Sequence, residues 1–316
     1  MAMKLALLFP GQGSQKVGMG RELAQNFSAA REVFAQADSA LGMKLSRLCF
    51  EGPEEDLRLT TNTQPAILTT SIAALRTLES ECEIAPELAA GHSLGEYSAL
   101  VAAGALDFAD AVWAVRERGR LMQEACPPGR GAMAALIGLD MALVAEVCAT
   151  ACAGEEVVVP ANLNAPGQIV VAGHAGAVRR AVGLAKERGG RMSVELNVSA
   201  PFHCSLMKPA QERMAAVLAG ITVKPMNFGV IANVDAQINR DSNRVVPLLI
   251  EQITAPVRWE ESMRTLGAAG ITRAIELGAG RVLAGLMRRI NRDLAVHCVE
   301  DPASLAAAVK VLSSQD

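Results

Sequence analysis

Short apolar runs, each followed by a turn and then by a helical pattern, recur along this chain. The runs predict buried strands at 4–9, 88–90, 227–233, 272–277 and 295–299. Apolar residues that recur every three or four positions predict helices at 22–41, 57–80, 96–103, 108–125, 206–219, 247–253, 259–266 and 282–290. Strand–turn–helix units of this kind predict an α/β fold with a mostly parallel, doubly wound sheet and helices on both faces.

The segment from 129 to 198 has a different order of elements. It follows the break at Pro127-Pro128-Gly129, and its pattern gives strand, helix, strand, strand, helix, strand, with Asp140 as the expected cap of the first helix. This order is typical of a ferredoxin-like module. We therefore predict a large α/β hydrolase-like domain formed by residues 1–128 and 199–316, and an inserted ferredoxin-like (βαββαβ) small domain at 129–198.

The turn Gly91-His92-Ser93-Leu94-Gly95 joins a predicted strand to a predicted helix. Glycines two residues on either side of Ser93 permit a tight turn that places its hydroxyl at the apex. The free N–H groups at the start of the following helix suit an oxyanion. The pattern favours a nucleophilic elbow of the hydrolase-like kind over a glycine-rich turn with no chemical role.

A nucleophilic serine needs a base, and the chain has four histidines. His92 adjoins Ser93, so its side chain is expected to diverge from the serine oxygen, while His174 and His297 fall in the small domain and in a late strand. His203 lies where the chain returns from the small domain, and clefts form at such junctions. We therefore predict His203 as the base, oriented by a carbonyl or an amide because no carboxylate is obviously placed to do so.

One arginine stands out in the helix predicted at 108–125, for which Asp107 is the expected N-cap. Arg118 is three residues after Val115 and four before Met122, which places it at the edge of the apolar stripe. Most helix arginines are simply solvated. An arginine held against an apolar face needs an anionic partner, so Arg118 is a candidate for binding an acidic ligand.

The composition narrows the classes of function. Hydrophobic residues make up 51% and charged residues 20%, as in a core-rich globular protein, and aromatic residues make up only 3%, which argues against base stacking on nucleic acid. The net charge of −3 excludes a general polyanion binder. Seven scattered cysteines without a CxxC pair predict reduced thiols in a cytoplasmic protein, and no ligand cluster suggests a metal. We see no signal peptide and no apolar run near the ~18 residues of a membrane span.

Taken together, a set of motifs resembles the malonyl-CoA:acyl-carrier-protein transacylase family. They are GQGSQ at 11–15, GHSLGEYSALVAAG at 91–104, RGRLMQ at 118–123, NLNAPGQIVVAG at 162–173, PFHCSLM at 201–207, NVDA at 233–236 and QITAPVRW at 252–259. Each motif is weak alone, but they follow the family's order over nearly the whole chain. The family often has Asn-Asn-Val-Asp where this chain has Ala232-Asn233-Val234-Asp235, which puts the local hydrogen bonding there in question.

The resemblance implies a role for each part of the reaction centre. Ser93 would be the nucleophile and His203 the base, with the backbone carbonyl of Gln252 as the orienting group in place of a carboxylate. The N–H groups of Gln12 and Leu94 would form the oxyanion hole.

The resemblance also implies the substrates. Arg118 would pair with the malonyl carboxylate, and Asn162 and Phe202 would contact the substrate, the pair Phe202-His203 being the form associated with malonyl selection. Malonyl-CoA and acyl carrier protein would be the partners in a ping-pong reaction of fatty-acid biosynthesis, with no cofactor. Carrier proteins are typically acidic, so the basic residues Lys186, Arg188, Arg191, Arg288, Arg289 and Arg292 are either a docking rim or an ordinary solvated surface.

Other functions remain open at this stage. The sequence does not separate a fatty-acid enzyme from a free-standing polyketide acyltransferase, and it does not give the oligomeric state. A serine thioesterase or hydrolase could use the same elbow, although a carboxylate clamp at Arg118 has no use for a neutral ester. A catalytically silent acyl-binding module is disfavoured because Ser93 and His203 are both present.

Overall fold

The structure is a computed structural model that describes residues 4–196, 198 and 200–313. Its strands are β1 (Leu5–Phe9), β2 (Pro86–Gly91), β3 (Gly131–Ile137), β4 (Val158–Ala165), β5 (Gln168–His174), β6 (Met192–Glu195), β7 (Gly229–Ile231), β8 (Ile238–Asn239), β9 (Arg273–Leu277) and β10 (Ala295–Val299). Its α-helices are α1 (Arg21–Asn26), α2 (Ser28–Leu41), α3 (Leu45–Glu51), α4 (Glu54–Arg58), α5 (Thr60–Glu81), α6 (Gly95–Ala102), α7 (Phe108–Ala125), α8 (Met141–Ala151), α9 (Ala175–Glu187), α10 (Lys208–Ala219), α11 (Val245–Glu251), α12 (Trp259–Ala268), α13 (Val282–Ile290) and α14 (Pro302–Ser313).

The larger sheet has the strand order β10-β9-β1-β2-β7-β8. Its neighbours are parallel, except that β8 pairs with β7 in the antiparallel sense. Alternate residues of β1 enter two separate cores: Leu7 and Phe9 pack on one face, and Leu8 packs with Trp259 on the other. The prediction of a mostly parallel sheet with helices on both faces is confirmed.

A second sheet of four strands is built from the continuous segment between 131 and 195, in the order β4-β5-β3-β6, and all its pairs are antiparallel. The helices α8 and α9 pack on this sheet and share a core of their own with it. The predicted succession of strand, helix, strand, strand, helix, strand is present. The domain division at 129–198 stays a prediction, and residue 197 of its last predicted strand and the following Ser199 lie outside the described residues.

Several predicted helices differ in detail. The helix predicted at 22–41 is divided into α1 and α2 because Phe27 has an extended backbone, and the one at 57–80 is divided between α4 and α5 at the extended Leu59. Asp107 stands at the N-cap position of α7, but its carboxylate binds Lys224 Nζ at 2.6 Å instead of capping the helix. Asp140 does cap α8, by accepting from the Leu143 N–H at 2.8 Å. None of the described helices is long and apolar enough to cross a membrane.

Candidate active site

Ser93 lies at the apex of the turn between β2 and α6, with a φ of 53°. A Cβ placed on Gly91 would lie 1.9 Å from the Gly95 carbonyl group, and one placed on Gly95 would lie 2.2 Å from the Phe9 carbonyl oxygen. Both contacts are impossible for a side chain, so the two glycines are what allow the strand and the helix to approach so closely. The turn matches the strained elbow that the sequence predicts.

His203 is paired with Ser93 in the structure. Its Nε2 lies 2.8 Å from Ser93 Oγ, and its Nδ1 lies 2.9 Å from the Gln252 carbonyl oxygen and 3.1 Å from the Ala255 carbonyl oxygen. Because carbonyl oxygens only accept, they hold the proton on Nδ1 and leave Nε2 free to accept from the serine hydroxyl. Burial, and then the Arg118 guanidinium, lower the pKa of His203 to about 3, so the imidazole is neutral and available as a base.

Arg118 is fully buried beside the serine, with 2% of its surface exposed, and not at the edge of the apolar stripe where the helical pattern placed it. Its Nη2 donates to Ser93 Oγ at 3.1 Å and to Gln252 Oε1 at 2.9 Å, and its Nη1 donates to Gln64 Oε1 at 2.8 Å. In the described part of the chain, no carboxylate lies within ion-pair distance of it. A buried cation held only by neutral groups is costly, so this geometry fits an anionic ligand that arrives at the serine.

The loop after β1 packs against the elbow. A Cβ on Gly11 would lie 2.4 Å from the His92 carbonyl oxygen, which brings the neighbouring Gln12 close to the turn. None of the described residues accepts a hydrogen bond from the backbone N–H of Gln12 or of Leu94. Both groups are therefore available to an added oxygen, and the oxyanion hole stays a prediction.

A cavity of about 720 Å³ opens beside His203, where segments of the two sheets meet. Its lining is mostly apolar, with a few polar groups, and includes Met141, Val159, Leu163, Lys208, Thr254 and Pro256. The segment before α12 ties the sheets together here, because the Leu163 N–H donates to the Val257 carbonyl and the Val257 N–H donates to the Ala161 carbonyl. The cleft therefore lies at the predicted junction.

Phe202 and Asn162, the two residues predicted to contact the substrate, do not hydrogen-bond to the catalytic residues in the described structure. Phe202 is buried in the larger core next to His203. Asn162 is buried on β4, and within the described residues it makes no side-chain hydrogen bond to Ser93, His203 or Arg118. Their contact with substrate stays a prediction.

Three further residues complete the site. Asn233 was named from the sequence as part of a family motif, but neither Gln64 nor Glu96 was singled out. Gln64 holds Arg118, while Glu96 accepts from the side chain of Gln252 at 2.8 Å and from the N–H of Asn233 at 3.0 Å. Asn233 accepts from the Ser93 N–H at 2.7 Å and donates to the Gly91 carbonyl at 2.8 Å, so the departure at Ala232 leaves the support of the elbow in place. The signal for Glu96 was a single acidic residue in the otherwise apolar start of α6.

Fold and site together define the class of this protein. The base is oriented by backbone carbonyls, and a cation lies over the serine oxygen, where a hydrolase of neutral esters has no use for one. These features define a serine acyltransferase. No group of three or more His, Cys, Asp or Glu residues in the described ranges could hold a metal ion.

Comparison with known proteins gives the family. The acyl transferase domain family matches residues 6–301. The malonyl CoA-acyl carrier protein transacylase of Bacillus subtilis is 49% identical over 313 residues, which are 99% of this chain and 98% of the relative, and that of Escherichia coli K12 is 46% identical over 308 residues, 98% and 99% of the two chains. This chain belongs to the malonyl CoA-acyl carrier protein transacylase family.

Solved structures agree with this assignment. The transacylase of Coxiella burnetii superposes with a TM-score of 0.96 at 43% identity and covers 99% of this chain and 98% of its own. A malonyl-transacylase in complex with a type II PKS acyl-carrier protein superposes with a TM-score of 0.95 at 44% identity and covers 98% and 99%.

Proposed function

We propose that this enzyme transfers the malonyl group of malonyl-CoA to the phosphopantetheine thiol of an acyl carrier protein, through a malonyl ester on Ser93. The observation that carries the proposal is the buried Arg118 guanidinium, 3.1 Å from Ser93 Oγ and without a carboxylate partner in the described structure. A malonyl group on the serine would bring its free carboxylate to this cation. An acetyl group has no charge to offer there.

In the first half-reaction, Ser93 Oγ attacks the thioester carbonyl carbon while His203 Nε2 takes the hydroxyl proton. The carbonyl oxygen becomes an oxyanion near the N–H groups of Gln12 and Leu94. When the tetrahedral intermediate collapses, the carbon–sulfur bond breaks and coenzyme A leaves as a thiol with the proton from His203. The malonyl ester remains on Ser93.

In the second half-reaction, the thiol of the carrier protein gives its proton to His203 and attacks the ester carbonyl. The bond to Ser93 Oγ breaks, and the serine recovers its proton from His203. The apolar cavity beside His203 has the form needed for the uncharged part of a phosphopantetheine arm, and filling it with this arm would keep water from the ester.

Only groups of this chain and the two substrates take part in these steps, so we infer a reaction without a cofactor. We place it in fatty-acid biosynthesis and, as an extension, in the cytoplasm. The malonyl-transacylase in complex with a type II PKS acyl-carrier protein supports polyketide carriers as the alternative acceptors.

The proposal predicts a covalent intermediate. After the enzyme is mixed with malonyl-CoA, intact-mass analysis should show one added malonyl group, and peptide mapping should place it on Ser93. Ser93→Ala is the matched control and should stay unmodified. An unmodified wild-type chain, or an adduct on another residue, would contradict the mechanism.

The two groups of basic residues considered as a docking rim approach each other at the turn between β4 and β5. Arg289 donates to Gln168 Oε1 at 2.7 Å and to the Pro166 carbonyl, and Arg191 packs beside Gly138, whose N–H donates to the Gly167 carbonyl. Acidic carrier proteins would be attracted to these cations.

Reversing two of these charges tests the docking rim. Arg191→Glu together with Arg289→Glu should raise the KM for carrier protein by about tenfold, since a lost rim attraction acts mainly on encounter. Transfer to free pantetheine serves as the internal control and should be unchanged, because this small thiol needs no docking surface. Unchanged transfer to carrier protein would reject this surface.

A further inference from the structure

The side chain of Gln252 connects a buried carboxyl group to a buried cation. Its Nε2 donates to Glu96 Oε2 at 2.8 Å, and its Oε1 accepts from Arg118 Nη2 at 2.9 Å. The same Nη2 donates to Ser93 Oγ at 3.1 Å. A continuous chain of hydrogen bonds therefore runs from Glu96 through Gln252 and Arg118 to the serine oxygen.

The chemistry of the two ends allows only one orientation of the Gln252 amide. A guanidinium only donates hydrogen bonds, and Glu96 Oε2 acts as an acceptor, since it also accepts from the Asn233 N–H. The NH₂ group must therefore face Glu96, and the oxygen must face Arg118. In the flipped orientation, the NH₂ group would meet the guanidinium donors and the amide oxygen would meet the carboxylate, so both contacts would be lost.

Glu96 is itself rigidly held. Only 3% of its surface is exposed, and its Oε2 also accepts from the Asn233 N–H at 3.0 Å. It lies in the first turn of α6, three residues after Ser93, so its carboxylate is fixed relative to the elbow. Gln252 Nε2 also donates to the Ser93 carbonyl at 3.0 Å, which ties the amide to the same frame.

We propose that Glu96 is a positioning residue for acyl-group selection, which fixes the Gln252 amide so that Arg118 is held beside Ser93 Oγ. Glu96 does not touch the reacting atoms in this role. It acts by keeping an acceptor oxygen against the guanidinium, so that the cation is already placed when the malonyl carboxylate arrives. This inference rests on the proposed malonyl transfer and adds the residue that orients its specificity group.

Two variants of Glu96 separate this role from a role of its charge. Glu96→Gln keeps an acceptor oxygen at the same chain length without the charge, whereas Glu96→Asp keeps the charge but draws the carboxylate back by one carbon–carbon bond. The readout is the ratio of kcat/KM for malonyl-CoA to that for acetyl-CoA, because a general loss of folding or of Ser93 reactivity cancels in it. Glu96→Gln should stay within about threefold of wild type, and Glu96→Asp should lose about tenfold or more, the equivalent of one buried hydrogen bond.

A double-mutant cycle tests whether Glu96 acts through Gln252. Gln252→Leu retains the backbone carbonyl that orients His203 and removes only the side-chain link, so it should lower the ratio alone, and Glu96→Asp should lower it no further in that background. Additive effects, or a ratio lost in Glu96→Gln and kept in Glu96→Asp, would overturn the inference. Its failure is distinct from a failure of the proposed function, which would show as a missing malonyl-serine in the wild-type enzyme.

Discussion

Replacing His203 with alanine is expected to slow the acylation of Ser93 by malonyl-CoA by about 10⁴- to 10⁶-fold, the range found when the base of a serine–histidine pair is removed. In the wild-type enzyme, His203 Nε2 lies 2.8 Å from Ser93 Oγ and can accept its proton. The alanine variant has no imidazole at this position to take the proton. Quench-flow measurement of the malonyl-enzyme would give the rate.

The pH dependence should change as well. Because the pKa of His203 is lowered to about 3, protonation of the imidazole should not reduce acylation by wild-type enzyme between pH 8 and pH 5. In His203→Ala, the residual rate should rise with pH, since hydroxide then has to supply the lost base. Burial raises the pKa of the neighbouring Glu96 to about 7, so the test is made in Glu96→Gln as well. A rate that falls tenfold per pH unit below about pH 6.5, the ordinary histidine pKa, in both enzymes would contradict a neutral buried imidazole.

His92 provides the matched control, because it is a second, half-buried imidazole next to the nucleophile. Its Nε2 lies 2.8 Å from Asn164 Oδ1, and its ring packs against Trp259 with 5.5 Å between centroids. A glutamine at position 92 can still donate to Asn164, so His92→Gln should reduce acylation by less than about tenfold. An equal loss in both variants would mean that the histidines support the elbow and that neither is a specific base.

The parts of the fold that could be predicted are those with local signals. The two glycines around Ser93 specify the elbow because any side chain there would overlap the backbone of the neighbouring element. The predicted bounds of the strand at 295–299 and of the helix at 282–290 match the structure to the residue. A short apolar run interrupted only by His297 marks the strand, and a regular helical period marks the helix. Phe27 and Leu59, in contrast, interrupt helices without any glycine or proline, so no local signal in the sequence marks their extended backbone.

In the candidate site, the predictable residues are polar or charged side chains whose burial costs free energy unless they have a partner. Arg118 on the apolar side of its helix and His203 at the return from the small domain could be predicted in this way. Gln252 was predicted only from the family resemblance. The residues that were missed, Gln64 and Glu96, act on side chains that are distant in sequence: Gln64 is 54 residues from Arg118, and Glu96 is 156 residues from Gln252. No periodicity records a contact of this kind. Only the folded chain shows that one residue, Gln252, orients the base with its backbone carbonyl and holds the arginine with its side-chain amide.

Arg118→Ala is expected to reverse the choice of acyl group. Loss of a buried, charge-assisted contact to the malonyl carboxylate should reduce kcat/KM for malonyl-CoA by about 10²- to 10³-fold, since breaking a buried ion pair costs roughly 3–5 kcal/mol. Acetyl transfer should be kept or should rise, because the acetyl group never used the cation and because removal of the guanidinium makes His203 more basic.

Arg120→Ala is the control on the same helix: Arg120 is paired with Glu117 and Glu124 at the surface, and its loss should change neither rate by more than about twofold. If Arg118→Ala reduced kcat/KM for malonyl-CoA and for acetyl-CoA equally, the arginine would serve only to support Ser93 and Gln252. Malonyl selection would then have to reside elsewhere in the cleft.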